Sequence, residues 1–461
     1  MTQSASHLPE RTPLRPALLL AGLFLVLTFL VHFLTSLWGS HLGYGFFRDE
    51  FYFLVCGHHL ALGYVDQPPL VAFQARLAEL LFGISPTGIR IFSFLASAIT
   101  IALTGILTWL LFGLLTGLGI ENKHSTLFFL VALLAGLLLT PQRRILHSRY
   151  CAAGIAILVL LALPNLWWQY TNQFPTYQFL STVSHSDKNI KYPPFPFLYE
   201  QIKVLFVITA PLWIGGLVWL LLARAARPWR FAGYTYLIFL AIMMAMHGKD
   251  YYLAPIYPIL FAAGSVAFSR LTRRDWPLVA CGVNCLIDLC LFTGPNVLTI
   301  LPPSSYDAYT APFNPKSTNF ETYTGPLPEI LSDRFGWEQM VQGFATRYNA
   351  LPPDIRAQTA IFCGNYGEAG AVTVLGPKYG LPPAISGHQN FYYWGYQGFT
   401  GDSVLTLGSD RKNYTDNYAE VVDLGPFDSP WTMDHEHLRY FWLRHRKVPY
   451  AQAWPSLKYW Y

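Results

Sequence analysis

Charge is what this sequence has least of. Charged residues make up 12% of the 461, about half the share of an ordinary soluble protein, while apolar residues reach 53% and aromatics 16%. A surface that faces lipid requires this removal of charge. The formal net charge of +5 gives no support to nucleic-acid binding, because the basic residues cluster beside apolar runs, where they report topology. Cysteine is sparse too. The six cysteines (Cys56, Cys151, Cys281, Cys285, Cys290 and Cys363) show no paired metal-ligand spacing. Three of them lie together in one apolar run and only Cys363 falls in the polar last third, which argues against a disulfide framework. Internal repeats and low-complexity tracts are absent, so solenoid and linker-type architectures are not indicated.

What the chain has instead is a series of long apolar runs. The first, 16–38, is roughly 23 residues, longer than a signal-peptide core and sufficient to span a bilayer. With no small-residue cleavage site after it, it reads as a retained span. Further runs follow at about 88–112, 125–140, 151–168, 203–223, 231–246, 251–269 and 277–300. Basic clusters follow several of them: Arg143-Arg144 with Arg149, then Arg224, Arg227 and Arg230, then Arg270, Arg273 and Arg274. The positive-inside rule assigns these to the cytoplasmic face. The segments 39–84, 165–203 and the C-terminal region then face the opposite side, with the proline-rich 193–196 lying at the membrane surface. One step does not close: if 88–112 returns the chain to the cytoplasm, a direct third span at 125–140 carries Arg143-Arg144 to the wrong side. Either a half-span near 112–120 dips in and out, or spans are missing.

From Leu301 onward the apolar runs shorten and charge returns. Ala360-Ile361-Phe362-Cys363 followed by Gly364-Asn365-Tyr366-Gly367-Glu368-Ala369-Gly370 reads as strand, loop, helix, and 328–348 has helical spacing. The expected architecture is an α-helical multi-spanning membrane domain, 1–300, with a C-terminal α/β soluble domain, 301–461.

Arg48-Asp49-Glu50, just after the first span, carries the strongest chemical signal. Ionisable residues at a bilayer boundary are costly unless solvated or paired, so the cluster is either a solvated helix anchor or a carboxylate held beside the membrane. Downstream, Asp66 sits in Gly63-Tyr64-Val65-Asp66-Gln67-Pro68-Pro69-Leu70, whose prolines read as a helix start. Lys249 falls between two apolar runs at headgroup level, either snorkelling or binding phosphate. Tyr251, Tyr252 and Tyr257 read as interfacial belt residues or substrate contacts. Gly364–Gly370 lacks the lysine of a phosphate loop and reads as a tight turn. His388, Phe391, Tyr392, Tyr393 and Trp394 read as a core strand, with sugar stacking as the alternative. Asp434-His435-Glu436-His437 reads as a solvated loop, with metal binding as the alternative.

Taken in order, several segments carry a resemblance. They are Arg48-Asp49-Glu50-Phe51-Tyr52, the Gly-Tyr-Val-Asp-Gln-Pro-Pro-Leu run, Gly119-Ile120-Glu121-Asn122-Lys123-His124, and His247-Gly248-Lys249-Asp250-Tyr251-Tyr252 through Pro258. Phe335-Gly336-Trp337-Glu338, Gly364–Gly370 and Tyr379-Gly380-Leu381-Pro382-Pro383 continue the series. Together they resemble the bacterial family-39 glycosyltransferases, relatives of the protein O-mannosyltransferases and the lipid A aminoarabinose transferase, with the GT-C membrane fold. The resemblance implies a polyprenyl-phosphate-linked sugar donor and transfer on the extracytoplasmic side of the inner (plasma) membrane. The acceptor is a lipid, glycan or protein, and no nucleic acid takes part. It maps the catalytic base to Asp49, with Glu50 beside it, and substrate contacts to Arg48, Asp66, Lys123, Lys249 and Tyr252. A divalent metal ion is a possible cofactor. The chemistry suits these residues: a lipid phosphate leaves without protonation, so one base and cations on the departing phosphate suffice. The chain departs from the family near 107–112, where relatives carry more spans. A non-catalytic protein that binds or moves lipid-linked sugars, or an inactive shortened relative, is therefore the alternative expectation.

Overall fold

The computed structural model describes residues 14–103, 123, 126–185, 193–205, 207–272, 294–310 and 327–460, with short pieces between 279 and 291. Among these the chain is mostly helical. The membrane-type part contains α1 (Leu14–His41), α2 (Arg48–His58), α3 (Pro69–Phe82), α4 (Pro86–Leu103), α5 (Thr126–Leu138), α6 (Arg149–Thr171), α7 (Pro175–His185), α8 (Pro194–Val204), α9 (Ala210–Leu222), α10 (Arg230–Ala245) and α11 (Tyr257–Thr272). Three stretches are long and apolar enough to cross a bilayer: Ala21–His41, Cys151–Thr171 and Asp250–Leu271. Two bent pairs raise this to five. Thr126–Leu138 turns by 117° into Pro141–His147, and Pro194–Val204 turns by 92° into Val207–Leu222. The apolar run expected at 125–140 therefore ends at Leu138, before Pro141 opens a 3₁₀ turn. Much of the run at 277–300, with Cys281 and Cys285, lies outside the described residues.

Antiparallel packing decides which ends of the helices meet. Phe129 near the start of α5 meets Phe239 near the end of α10, their ring centroids 5.7 Å apart, and Gly136 lies against Phe231 and Thr235. Arg143 and Arg144 after α5 thus share an end with Arg224, Arg227 and Arg230 before α10. Lys123 and Lys249 share the other. The basic clusters lie at one end, although a direct third span led one to expect them at opposite ends. The residues joining α4 to Lys123, 104–122, lie outside the described ones. Where α9 crosses α11, Gly216 faces the Leu260 carbonyl and Gly264 faces that of Leu212, so close that neither position has room for a Cβ. Close backbone approach of this kind is how helices associate where lipid removes any hydrophobic drive.

The C-terminal part holds α12 (Trp337–Asn349), β1 (Thr359–Phe362), α13 (Tyr366–Leu375), β2 (Ser403–Gly408), β3 (Tyr418–Pro426) and β4 (Arg439–Arg446). The sheet order is β1-β2-β4-β3, with β1 parallel to β2 and the other pairs antiparallel. The strand, loop and helix expected over 360–370 are present. The helical pattern over 328–348 is interrupted at Gly336, whose φ of 86° is left-handed. The aromatic stretch expected as a core strand is a short helix, Asn390–Trp394, closed by Gly395 at φ 78°.

One core joins the two parts. Phe51, Tyr52, Leu54, Val55 and Cys56 of α2 are buried with Trp337, Met340, Val341 and Phe344 of α12, Ala369 and Val372 of α13, and Leu405 of β2. Full burial of each large side chain is worth about 1.5–3 kcal/mol. The helix that follows the first span is therefore held as a core element of the C-terminal region.

Candidate active site

The site is built on the first turn of α2. Its three charged residues point to different partners, and the partners come from distant parts of the chain.

Glu50 closes the turn. Its Oε2 accepts from the backbone N–H of Phe47 at 2.7 Å. Arg90 of α4 donates to both oxygens, from Nε at 2.5 Å and Nη2 at 2.7 Å. This bidentate pair pins α2 to α4 and engages both carboxylate oxygens. Arg48 points the other way. Its Nε and Nη2 donate to Asp333 Oδ1 at 3.2 and 3.1 Å, and Nη2 lies 3.3 Å from His435 Nε2. Burial opposes its charge, but Asp333 first and Glu436 next more than offset this and hold the guanidinium protonated. The 434–437 segment is packed under Arg48. Glu436 is buried and faces the Asn365 amide at 3.3 Å, while His437 pairs with Asp428 at 3.2 Å.

Asp49 sits between these two anchored neighbours. Its Oδ1 accepts from the Tyr366 hydroxyl at 2.7 Å, and its Oδ2 makes no hydrogen bond among the described residues. Asp66 stands near it on the α2–α3 loop and accepts from Tyr52 Oη at 3.1 Å. Asp66 is recessed in protein though open to the cleft. Burial first, and the Asp49 charge second, push its carboxyl up to about 7. The loop is fixed from several sides. Val65 N–H donates to Asn390 Oδ1 at 2.7 Å, Gln169 Nε2 to the Tyr64 carbonyl at 3.3 Å, and Thr176 Oγ1 to the Val65 carbonyl at 2.8 Å. Pro69 opens α3, the structural role expected of it.

The cations face this pair. Lys123 Nζ lies 5.2 Å from the Tyr251 ring centroid and 5.3 Å from that of Tyr252; Lys249 Nζ lies 5.9 Å from that of Tyr251. Burial lowers the Lys123 pKa, and so does Lys249 beside it, while Asp49 acts in the opposite sense. Neither lysine forms an ion pair among the described residues. His124 lies outside them. Of the residues singled out in the sequence, Asp49 acts on both Asp66 and Lys123, and Lys123 stands beside Lys249 and against the Tyr252 ring, so these five form one group. Arg48 and Glu50 flank it with their charges engaged elsewhere. Sequence reasoning missed Arg90, Asp333, Asn390 and Tyr366; for Tyr366 the available signal was the Gly364–Gly370 motif, which read as a turn. Among the described residues no group of three or more His, Cys, Asp or Glu is arranged to hold a metal ion.

Residues 104–168 match the family model for dolichyl-phosphate-mannose-protein mannosyltransferases. The match covers Lys123, α5 and most of α6. It supports a membrane glycosyltransferase of the mannosyltransferase type, with a lipid-linked sugar as the general kind of donor. No curated protein matches the chain, and no solved structure does.

Proposed function

We propose that this protein transfers a sugar from a polyprenyl-phosphate donor to an acceptor hydroxyl, as the family-39 glycosyltransferases it resembles do. One observation carries the reading: Asp49, whose Oδ2 makes no hydrogen bond among the described residues, stands near Lys123 with Lys249 beside it, and neither lysine forms an ion pair among those residues. Asp49 accepts the proton of the acceptor hydroxyl as that oxygen attacks the anomeric carbon. Lys123 and Lys249 stabilise the charge that gathers on the departing phosphate, and the Tyr251 and Tyr252 rings lie against the lysine ammonium groups. Asp66, its carboxyl pushed up to about 7 by burial and by Asp49, is protonated in part near neutral pH and in that form donates a hydrogen bond to the sugar. Arg48 and Glu50 position the turn.

The basic turns lie at the end of the bundle opposite this cleft, which supports an extracytoplasmic reaction centre in the plasma membrane. The C-terminal region, 301–461, then lies on the same outer side, with α2 in its core.

The test is release of polyprenyl phosphate from a panel of lipid-linked sugars by purified protein in bilayers, beside Asp49→Asn. Release that disappears in the variant is the expected result. Bound donor with no release from either protein overturns the reading in favour of a non-catalytic binder.

A further inference from the structure

The hydrogen bond that Asp49 accepts from the C-terminal region comes from α13. α13 lies on α2 along the face formed by Tyr366, Gly367 and Gly370. A Cβ on Gly367 collides with the aliphatic stem of Arg48, and one on Gly370 falls 2.8 Å from Phe51 Cβ and 3.2 Å from its carbonyl carbon. The two glycines therefore set how near Tyr366 comes to Asp49.

Tyr366 itself is fixed on three sides. Its backbone N–H donates to His388 Nδ1 at 3.2 Å. Its ring packs 5.0 Å from Tyr52 and 5.0 Å from His388. Asn365 caps the helix, its Oδ1 accepting from the Glu368 N–H at 2.9 Å. The Gly-Asn-Tyr-Gly-Glu-Ala-Gly motif is thus a docking surface with one functional group at its tip.

We propose that Tyr366 is the positioning residue for Asp49: its hydroxyl engages Oδ1, orients the carboxylate and leaves Oδ2 for the acceptor hydroxyl. This rests on the glycosyltransferase reading for its kinetic consequences, though not for the hydrogen bond itself. Burial and the Asp49 charge both raise the phenol's pKa, so Tyr366 remains a donor throughout the working range. A hydrogen bond donated to the charged form of a carboxyl lowers that carboxyl's pKa.

The experiment is an infrared pH titration of full-length protein in lipid nanodiscs, following the protonated-carboxyl band that Asp49→Asn removes. Tyr366→Phe is expected to move its midpoint up by about 1 unit. The other groups facing Asp49 (Arg48 on its own helix, Asp66, Lys123, Tyr251 and Asp333) are unchanged in the variant. Replacing Tyr366 by ortho-fluorotyrosine, a stronger donor of nearly the same shape, moves the midpoint the opposite way and serves if the phenylalanine variant misfolds. In the transfer assay Tyr366→Phe lowers kcat roughly tenfold, leaves KM for the donor within about twofold and shifts the acid limb upward. An unmoved midpoint in both variants overturns the proposal, as does a normal kcat and acid limb in an active Tyr366→Phe protein. A midpoint that moves in a parent protein unable to transfer any sugar supports the proposal and sinks the proposed function instead.

Discussion

On the sheet, Arg439 pairs with Asp423 at 2.8 Å and Arg444 with Glu420 at 2.9 Å, all four side chains partly exposed. Around Asp49, Lys123 and Lys249 stand side by side with no ion pair to a carboxylate among the described residues. The sheet's charges are partly solvated and matched within their own surface, so their pairing is worth little and asks for nothing further. The two lysines repel each other in a partly desolvated place, a cost that Asp49 offsets in part and that an anionic ligand would offset further. That contrast is what the proposed reaction centre rests on.

The widest contrast is expected at Asp49. Asp49→Asn is expected to cut transfer by about 10²–10⁴-fold while donor still binds, measured by phosphate release and by equilibrium binding. Next come the lysines. Lys249→Met or Lys123→Met is expected to weaken donor binding by about 10–100-fold and to flatten its dependence on salt. A smaller effect concerns stability. The Asp66 pKa is raised in the folded state, so its ionisation destabilises the fold progressively from about pH 4 to about pH 7, and the cost is constant above that. Asp66→Asn is therefore expected to raise Tm relative to the parent by a margin that grows over this window and then levels. A margin independent of pH sinks the assignment. Smallest of all, Glu420→Gln on the sheet is expected to change unfolding stability by less than about 1 kcal/mol and transfer not at all. An equal loss at Glu420 and Lys249 erases the comparison.

The parts of this arrangement that are local were legible in the sequence. Apolar length marked α1 and α6, the Pro-Pro pair marked the start of α3, and 360–370 showed its strand and helix. Asp49 and Lys249 drew notice because charge beside lipid is costly. What stayed hidden depends on partners far along the chain. Nothing near Arg48 foretells Asp333, 285 residues away, or near Asp49 foretells Tyr366, 317 residues away. The same distance concealed α2's true setting, since a buried amphipathic helix and an interfacial one present the same residues. Glu50 looked like Asp49's equal because its commitment to Arg90 is tertiary.

The seating of α2 in the C-terminal core also sets a timetable. At translation rates of about 5–20 residues per second, the 317 residues between Asp49 and Tyr366 take roughly a quarter of a minute to a minute to appear. For most of that interval Phe51, Leu54 and Val55 have no α12 to cover them, throughout it they have no α13 or β2, and the carboxylate has no phenol to orient it. The nascent protein is thus a membrane bundle with the proposed reaction centre unfinished and an uncovered apolar helix at its rim. Competence arrives late and all at once, when the last third of the chain folds around a helix made near the beginning.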